Sequence, residues 1–166
     1  DVIANCEELY HFLSKEYQSK DISYPFPRIT YKESIERYGT DKPDTRFSLE
    51  LRNLNKVLSG TEFRVFNNVL ESGGSIKGIS LKNSDSIKRS YIDELNNFVI
   101  EMGGGGVIPI SIENIKDISE LNIQNVKSPI AKFLNAENIK EIYKTFDASE
   151  EDIIFISAGE NNKVNE

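Results

Sequence analysis

Residues 24–46, YPFPRITYKESIERYGTDKPDTR, combine turn residues, a short helix and a charged loop in an order particular to this chain. Pro25 and Pro27 fix the backbone φ angle and remove two amide donors, which predicts an extended segment. Thr30 predicts the start of a helix, because a glutamate follows three residues later at the spacing of a capping box. Gly39 predicts the end of that helix, since glycine readily adopts the left-handed conformation of a C-terminal cap.

A loop with charges of alternating sign follows the predicted helix. Asp41, Lys42, Asp44 and Arg46 lie within six residues of one another. Burying such a loop would cost desolvation, so the pattern predicts either a solvated, ion-paired turn or part of a polar site. Asp41 and Asp44 could also gather with Glu50 around a cation, although the neighbouring basic residues favour ion pairs.

The same stretch resembles the catalytic domain of bacterial-type aspartyl-tRNA synthetases, which are class II enzymes. Phe26–Thr30, Arg37–Gly39 and Gly39–Arg46 match its proline-containing strand, the Arg-Tyr-Gly end of its helix and its charged loop. Downstream, Lys127–Asn135 (KSPIAKFLN) is similar to a segment in the insertion domain of the same enzymes. Glu151–Val164 (EDIIFISAGENNKV) is similar to the strand and polar turn that close that insertion.

The resemblance implies a division of the chain and a function. Residues 1–56 would be part of the catalytic domain, 57–160 the insertion (GAD-like) domain, and 161–166 a polar tail. The parent enzyme would activate aspartate with ATP and magnesium and transfer it to tRNA in the cytoplasm, as a homodimer. The motifs that bind ATP and aspartate in class II enzymes would lie before residue 1 and after residue 166. The chain is therefore expected to be an inactive fragment that binds no cofactor or metal and works with the remaining catalytic domain.

Hydrophobic periodicity predicts an α+β fold, with a mostly antiparallel sheet, helices on one of its faces and a helix-rich segment in front. Helices are predicted over 1–20, from Ser86 or Ser90 to Met102, from Pro129, and over 135–145. Strands are predicted over 61–69, 75–81, 107–112 and 151–158, with a short element over 47–54. Gly73-Gly74 predicts a hairpin turn, and Gly103–Gly106 a helix-to-strand turn rather than a phosphate-binding loop.

Charge argues against a dedicated nucleic-acid-binding domain. The chain has a net charge of −7, and residues 57–166 hold 11 Lys and Arg against 17 Asp and Glu. Because affinity for nucleic acid comes mainly from neutralised phosphates, any tRNA contact must be local. Lys127, Lys132 and Lys140 are candidates, since they lie before and along the helical segment predicted from Pro129, where a phosphate would gain from the helix dipole. The alternative is a set of solubilising lysines.

The remaining sequence excludes several classes of chemistry. One cysteine, Cys6, allows no internal disulfide, and one histidine, His11, provides no catalytic triad. No apolar run is long enough to cross a bilayer. Three other interpretations stay open: an insertion-domain segment of a tRNA-dependent amidotransferase B subunit, a non-enzymatic acidic interaction module, and a small enzyme that uses Asp41, Lys42 and Asp44.

Overall fold

The computed structural model describes residues 1–46, 49–82, 87–115 and 117–165. Backbone contacts divide the chain into two units, Asp1–Tyr31 and the part from Lys32 onward. The boundary after residue 56 stays a prediction. Phe47, Ser48 and Ser86 lie outside the described residues. Among the described helices, none has both the length and the apolar character needed to span a membrane.

The first unit is one helix and the segment that returns along it. Helix α1, Val2–Gln18, ends where Ser19 adopts a left-handed conformation with φ 54°. The buried Glu7 carboxylate accepts a hydrogen bond of 3.0 Å from the Phe26 amide. His11 Nδ1 lies 2.7 Å from the Ile22 carbonyl oxygen. Tyr10 also lies beside Phe26, with ring centroids 6.5 Å apart, so polar and aromatic side chains both join α1 to the returning segment. The predicted helix is confirmed.

The second unit contains the remaining helices and the sheet. Helix α2 is Tyr31–Tyr38, which confirms a start after Thr30 and an end at Gly39. The other described elements follow in chain order: β1 Arg52–Asn53, α3 Asn55–Leu58, α4 Arg64–Glu71, β2 Ser75–Leu81, α5 Arg89–Glu101, β3 Ile108–Ile112, β4 Val126–Lys127, α6 Ala136–Thr145, β5 Ile153–Gly159 and α7 Asn161–Asn165. Short 3₁₀ turns cover Ile118–Glu120, Ile123–Asn125 and Ala131–Phe133.

The strands form one antiparallel sheet. Within the described residues their order is β1-β2-β5-β3-β4. Strands β2 and β5 pair along their whole length, from Ser75 opposite Gly159 to Leu81 opposite Ile153. Strand β3 pairs with the other side of β5. The predicted α+β class with a mostly antiparallel sheet is therefore confirmed.

The hydrophobic core lies against one face of this sheet. Ile76, Ile110, Ile154 and Ile156 project from that face and are fully shielded from solvent. The helices α3, α4 and α6 cover it with Leu58, Phe66, Ile139, Ile142, Tyr143 and Phe146. Burying each such side chain contributes about 1.5–3 kcal/mol. The core holds the central strands and these three helices together.

The strand predicted over 61–69 is wrong, because α4 occupies this stretch. Phe63 and Phe66 stack edge to face with ring centroids 4.8 Å apart, and Phe66 is fully buried. Val65, which a strand would place beside Phe63, is 52% exposed. A spacing of three residues between the aromatic rings fits a helix that buries one stripe. The predicted hairpin is also wrong, since Gly73-Gly74 ends α4 and leads into β2.

Pro109 and Pro129 lie in different backbone surroundings. Pro109 lies in β3 where β4 has not yet begun, because β4 pairs only with Ser111 and Ile112. Among the described strands, Pro109 is therefore at an open edge, where proline is tolerated. The helix predicted from Pro129 is wrong, since only the 3₁₀ turn Ala131–Phe133 forms there.

The C-terminal helices follow their predicted limits closely. Helix α6 begins after Asn135, whose side chain accepts a hydrogen bond from the Asn138 amide at 2.8 Å. Helix α5 lies within its predicted limits and ends at the glycine turn, although Phe98 on its predicted core face is 58% exposed. The predicted polar tail contains α7, whose Val164 is buried.

Candidate functional site

The charged loop after α2 is an ion-paired turn. Arg46 Nε donates to Asp44 Oδ1 at 2.8 Å, and the Arg46 amide donates to the same oxygen at 3.0 Å. The Arg46 guanidinium lowers the pKa of Asp44 to about 2. Asp41 and Lys42 are exposed, and the Lys42 amide donates to the Thr40 hydroxyl at 3.3 Å. Exposed pairs of this kind add little stability, so the loop is a solvated turn.

Four side chains lie around Arg37 near the end of α2. Together with Arg37 they form what we call the Arg37 cluster: Glu33, Arg37, Tyr38, Glu50 and Arg52. Arg37 Nη1 donates to Glu33 Oε1 at 2.6 Å, and Nη2 donates to Glu50 Oε1 at 2.6 Å. Arg37 Nε reaches Glu50 Oε2 at 3.4 Å, which makes this contact bidentate. Arg52 Nη2 lies 3.5 Å from Glu50 Oε2.

The charges of the Arg37 cluster satisfy one another. The Arg37 guanidinium lowers the pKa of Glu50 below its ordinary value, and Glu50 and then Glu33 raise the pKa of Arg37. The Tyr38 hydroxyl accepts from Arg37 Nη2 at 3.1 Å and donates to Glu50 Oε1 at 3.4 Å. With these pKa shifts the carboxylate and guanidinium stay charged near neutral pH. The cluster is suited to holding backbone elements together and not to moving a proton.

Contacts with backbone carbonyl groups join the end of α2 to the sheet and to α7. The Leu51 amide donates to the Arg37 carbonyl oxygen at 2.7 Å. From β2, the buried Lys77 ammonium donates to the Glu36 carbonyl oxygen at 3.0 Å. A Cβ atom at Gly39 would lie 1.7 Å from the Asn165 carbonyl oxygen. The end of α2 is therefore fixed to β2, to the chain leading into β1 and to α7.

Sequence analysis gave Arg37 and Tyr38 no role beyond the helix end, and it considered Glu50 only as a cation ligand. Glu33 and Arg37 are four residues apart on a helix, which could have predicted their ion pair. Glu50 is 13 residues from Arg37 and beyond the loop, so no local pattern indicates that contact.

The three candidate lysines occupy separate surroundings. Lys127 lies on β4, with its ammonium 2.8 Å from Glu113 Oε1. Lys132 lies in a 3₁₀ turn, with its ammonium 4.9 Å from the centre of the Phe133 ring. Lys140 is half-buried on α6. Among the described residues no contact joins these three lysines, and their role in tRNA binding stays a prediction.

Asp41, Asp44 and Glu50 do not form a magnesium site. Magnesium prefers carboxylate oxygens, but Asp44 is bound by Arg46 and Glu50 by Arg37. Within the described part of the chain, no group of three His, Cys, Asp or Glu side chains could hold a metal ion. The cation site considered from Asp41, Asp44 and Glu50 is therefore not formed.

Comparison with known families assigns most of the second unit to one family. A statistical model of the GAD domain family matches residues 66–166. The chain belongs to the GAD domain family. The GAD domain is the insertion domain of aspartate–tRNA ligases. The matched range includes β2 to β5 with α5 to α7, whereas the Arg37 cluster precedes it.

Curated relatives match both the GAD domain and the residues in front of it. An aspartate–tRNA ligase of Shouchella clausii is 38% identical over 165 residues, which is 99% of this chain. An aspartate–tRNA ligase of Clostridium novyi and an aspartate–tRNA(Asp/Asn) ligase of Thermoanaerobacter pseudethanolicus are each 36% identical over 164 residues. The chain spans 26% of the length of each of these relatives.

The matches show that the Arg37 cluster lies beside contacts between the GAD domain and the residues in front of it. Its residues lie before the GAD domain, while Lys77 and Asn165 lie inside it. The contacts of Glu36 and Gly39 with these two residues therefore fix the GAD domain to the end of α2. The predicted resemblance to bacterial aspartyl-tRNA synthetases is confirmed by the same relatives.

Proposed function

We propose that this chain works as part of an aspartate–tRNA ligase in protein synthesis. The complete enzyme would activate aspartate with ATP and magnesium and then transfer the aspartyl group to tRNA. The observation that carries the proposal is a match to ligases over 99% of the chain, which includes the 65 residues before the GAD domain. An amidotransferase subunit that shares only the insertion would not account for those residues.

Within that enzyme, the end of α2 would position the GAD domain. The Arg37 cluster, Lys77 and Gly39 support this role, because they fix α2 to the sheet and to α7. The charged loop with Asp41, Lys42, Asp44 and Arg46 would be the solvated connection between catalytic segment and insertion. The chemistry with ATP and magnesium would come from the rest of the enzyme, in the cytoplasm.

The first unit would pack against the remaining catalytic domain. Leu9, Tyr10, Phe12 and Tyr17 on α1 are 54%, 61%, 56% and 80% exposed. Tyr10 also lies beside Phe26, with ring centroids 6.5 Å apart, yet more than half of each of these four side chains is exposed. An apolar stripe of this size is typical of an interface. A further part of the ligase, about three times as long as this chain in the relatives, would cover it.

Aspartylation of tRNA tests this proposal. The complete polypeptide that contains residues 1–166 would be incubated with ATP, magnesium, radiolabelled aspartate and unfractionated tRNA. We expect acid-precipitable label on aspartate-specific tRNA that disappears when aspartate is replaced by glutamate. Absence of charging by an intact, folded polypeptide would overturn the proposal.

Lys127, Lys132 and Lys140 would provide a local contact with tRNA phosphates. Replacing Lys140 by alanine in the complete enzyme should raise the KM for tRNA and leave the KM for ATP unchanged, because only a phosphate contact is lost. Lys144→Ala on the same helix is the matched control, since Lys144 is paired with Glu141. Equal effects of the two substitutions would contradict a specific contact at Lys140.

A further inference from the structure

A groove of about 1040 Å³ runs beside the open edge of β3. Helix α5 contributes Ile92, Asp93 and Asn96 to its lining, and the start of β5 contributes Ile153. Pro109 adds further apolar surface from β3. The groove therefore has apolar walls along a strand edge.

The strand edge in this groove offers acceptors without donors. The Glu113 amide donates to the Asn125 carbonyl oxygen at 2.8 Å, so odd-numbered residues direct their backbone groups toward this edge. Three positions earlier in this alternation, the Val107 amide donates to Asn96 Oδ1 at 2.9 Å. Pro109, between them, has no amide hydrogen. A peptide strand added here would leave its own carbonyl groups without donors, which disfavours strand addition.

The lining side chains make the groove acidic. Among its described lining residues are five carboxylates, Asp93, Glu113, Glu150, Glu151 and Asp152, and two cations, Arg89 and Lys127. Lys127 pairs with Glu113, and Lys82 pairs with Asp152. Asp93 and Glu150 have no ion-pair partner among the described residues. The groove thus complements an occupant that is positively charged and donates hydrogen bonds.

We propose that this groove binds a linear aliphatic polyamine. Its ammonium groups donate hydrogen bonds and accept none, which matches the backbone carbonyl groups of β3 and the carboxylates of Asp93 and Glu150. Its methylene chain lies on the apolar walls at Ile92, Pro109 and Ile153, as lysine side chains do on apolar surfaces. This ligand class is independent of the proposed ligase function, because no step of aspartate activation or transfer is used to identify it.

Titration of the chain with spermidine tests the proposal by isothermal calorimetry and by amide chemical shifts. We expect one saturable site, with shift changes concentrated at Asn96, Val107 and Ile153. The double variant Asp93→Asn, Glu150→Gln should raise the dissociation constant for spermidine about tenfold, because two charge-assisted contacts are lost. Circular dichroism of this variant checks that its fold is intact.

A second double variant controls for the overall negative charge. Glu62→Gln, Glu137→Gln removes the same charge from exposed positions outside the groove and should leave spermidine affinity unchanged. Equal weakening by the two double variants, or shift changes spread over the acidic surface, would overturn the proposal. Tighter binding of a lysine-containing peptide at the same amides, or full competition by magnesium at matched ionic strength, would also overturn it.

Discussion

Replacing Gly39 by alanine should strongly destabilise the second unit. Gly39 has φ 71°, and an added Cβ would lie 1.7 Å from the Asn165 carbonyl oxygen and 2.8 Å from its carbonyl carbon. Both contacts are to backbone atoms, so a side-chain rotation cannot relieve them. Helix α7 must move away, and its buried Val164 moves with it.

The cost has two parts that the structure separates. A left-handed conformation costs a non-glycine residue about 1–2 kcal/mol. Exposing the Val164 side chain costs about 1.5–3 kcal/mol. Gly39→Ala should therefore lower the free energy of unfolding by roughly 2.5–5 kcal/mol.

Urea unfolding followed by far-UV circular dichroism measures this change. Gly60→Ala is the matched control, because Gly60 has φ 74° and an added Cβ would meet no atom within 4 Å. The control should show only the backbone cost of about 1–2 kcal/mol. If the two substitutions differ by less than about 0.5 kcal/mol, the contact between Gly39 and α7 is refuted.

Three further substitutions test separate parts of the fold. Burial lowers the pKa of Lys77 below its ordinary value of 10.5, so folding stability should rise with pH between the lowered pKa and 10.5, where the unfolded chain binds more protons. Lys77→Met should remove that rise, measured as the urea midpoint across alkaline pH. Arg37→Met should raise the pKa of Glu50 toward its ordinary value of 4.5, because the guanidinium that lowers it is lost. Carboxyl NMR titration would detect this, and an unchanged pKa would contradict the bidentate contact. Phe66→Ala should cost about 3–5 kcal/mol in urea unfolding and Val65→Ala less than about 0.5 kcal/mol, whereas similar costs would contradict the helix.

The sequence predicted elements well where one signal was strong. Strand β2 was predicted with both ends correct, and β5 and α6 within a few residues. Strand β5 has the β-prone run Ile153–Ile156, α6 has the capping residue Asn135, and β2 has alternating side chains over 75–81. These local signals agree with the tertiary structure, so each element could be predicted from its own residues alone.

The strand predicted in place of α4 failed because a short window is ambiguous. Over nine residues, Phe63, Val65 and Asn67 alternate as a strand would, and Phe63, Phe66 and Leu70 also match a helix. Packing decides between them, since Phe66 reaches the core and Val65 faces solvent. The local sequence does not indicate which elements pack against this segment, so it could not distinguish the helix from a strand.

The connection around Arg37 could be predicted only in part. The Arg-Tyr-Gly sequence indicated a helix end and, through the resemblance, a family. The contacts of Glu36 with Lys77 and of Gly39 with Asn165 join residues 41 and 126 positions apart. The alternation along β2 also predicts that Lys77 is exposed, because its neighbour Ile76 faces the core, yet Lys77 is buried. Only the folded sheet brings these residues together.

Aspartate-dependent exchange of pyrophosphate into ATP tests where the chemistry of the proposed ligase lies. We claim that residues 1–166 hold the GAD domain and the segment that positions it, and that the chemistry lies in the rest of the enzyme. The complete polypeptide should catalyse the exchange, and purified residues 1–166 should show none above a blank without aspartate. Measurable aspartate-dependent exchange by residues 1–166 alone would contradict the claim.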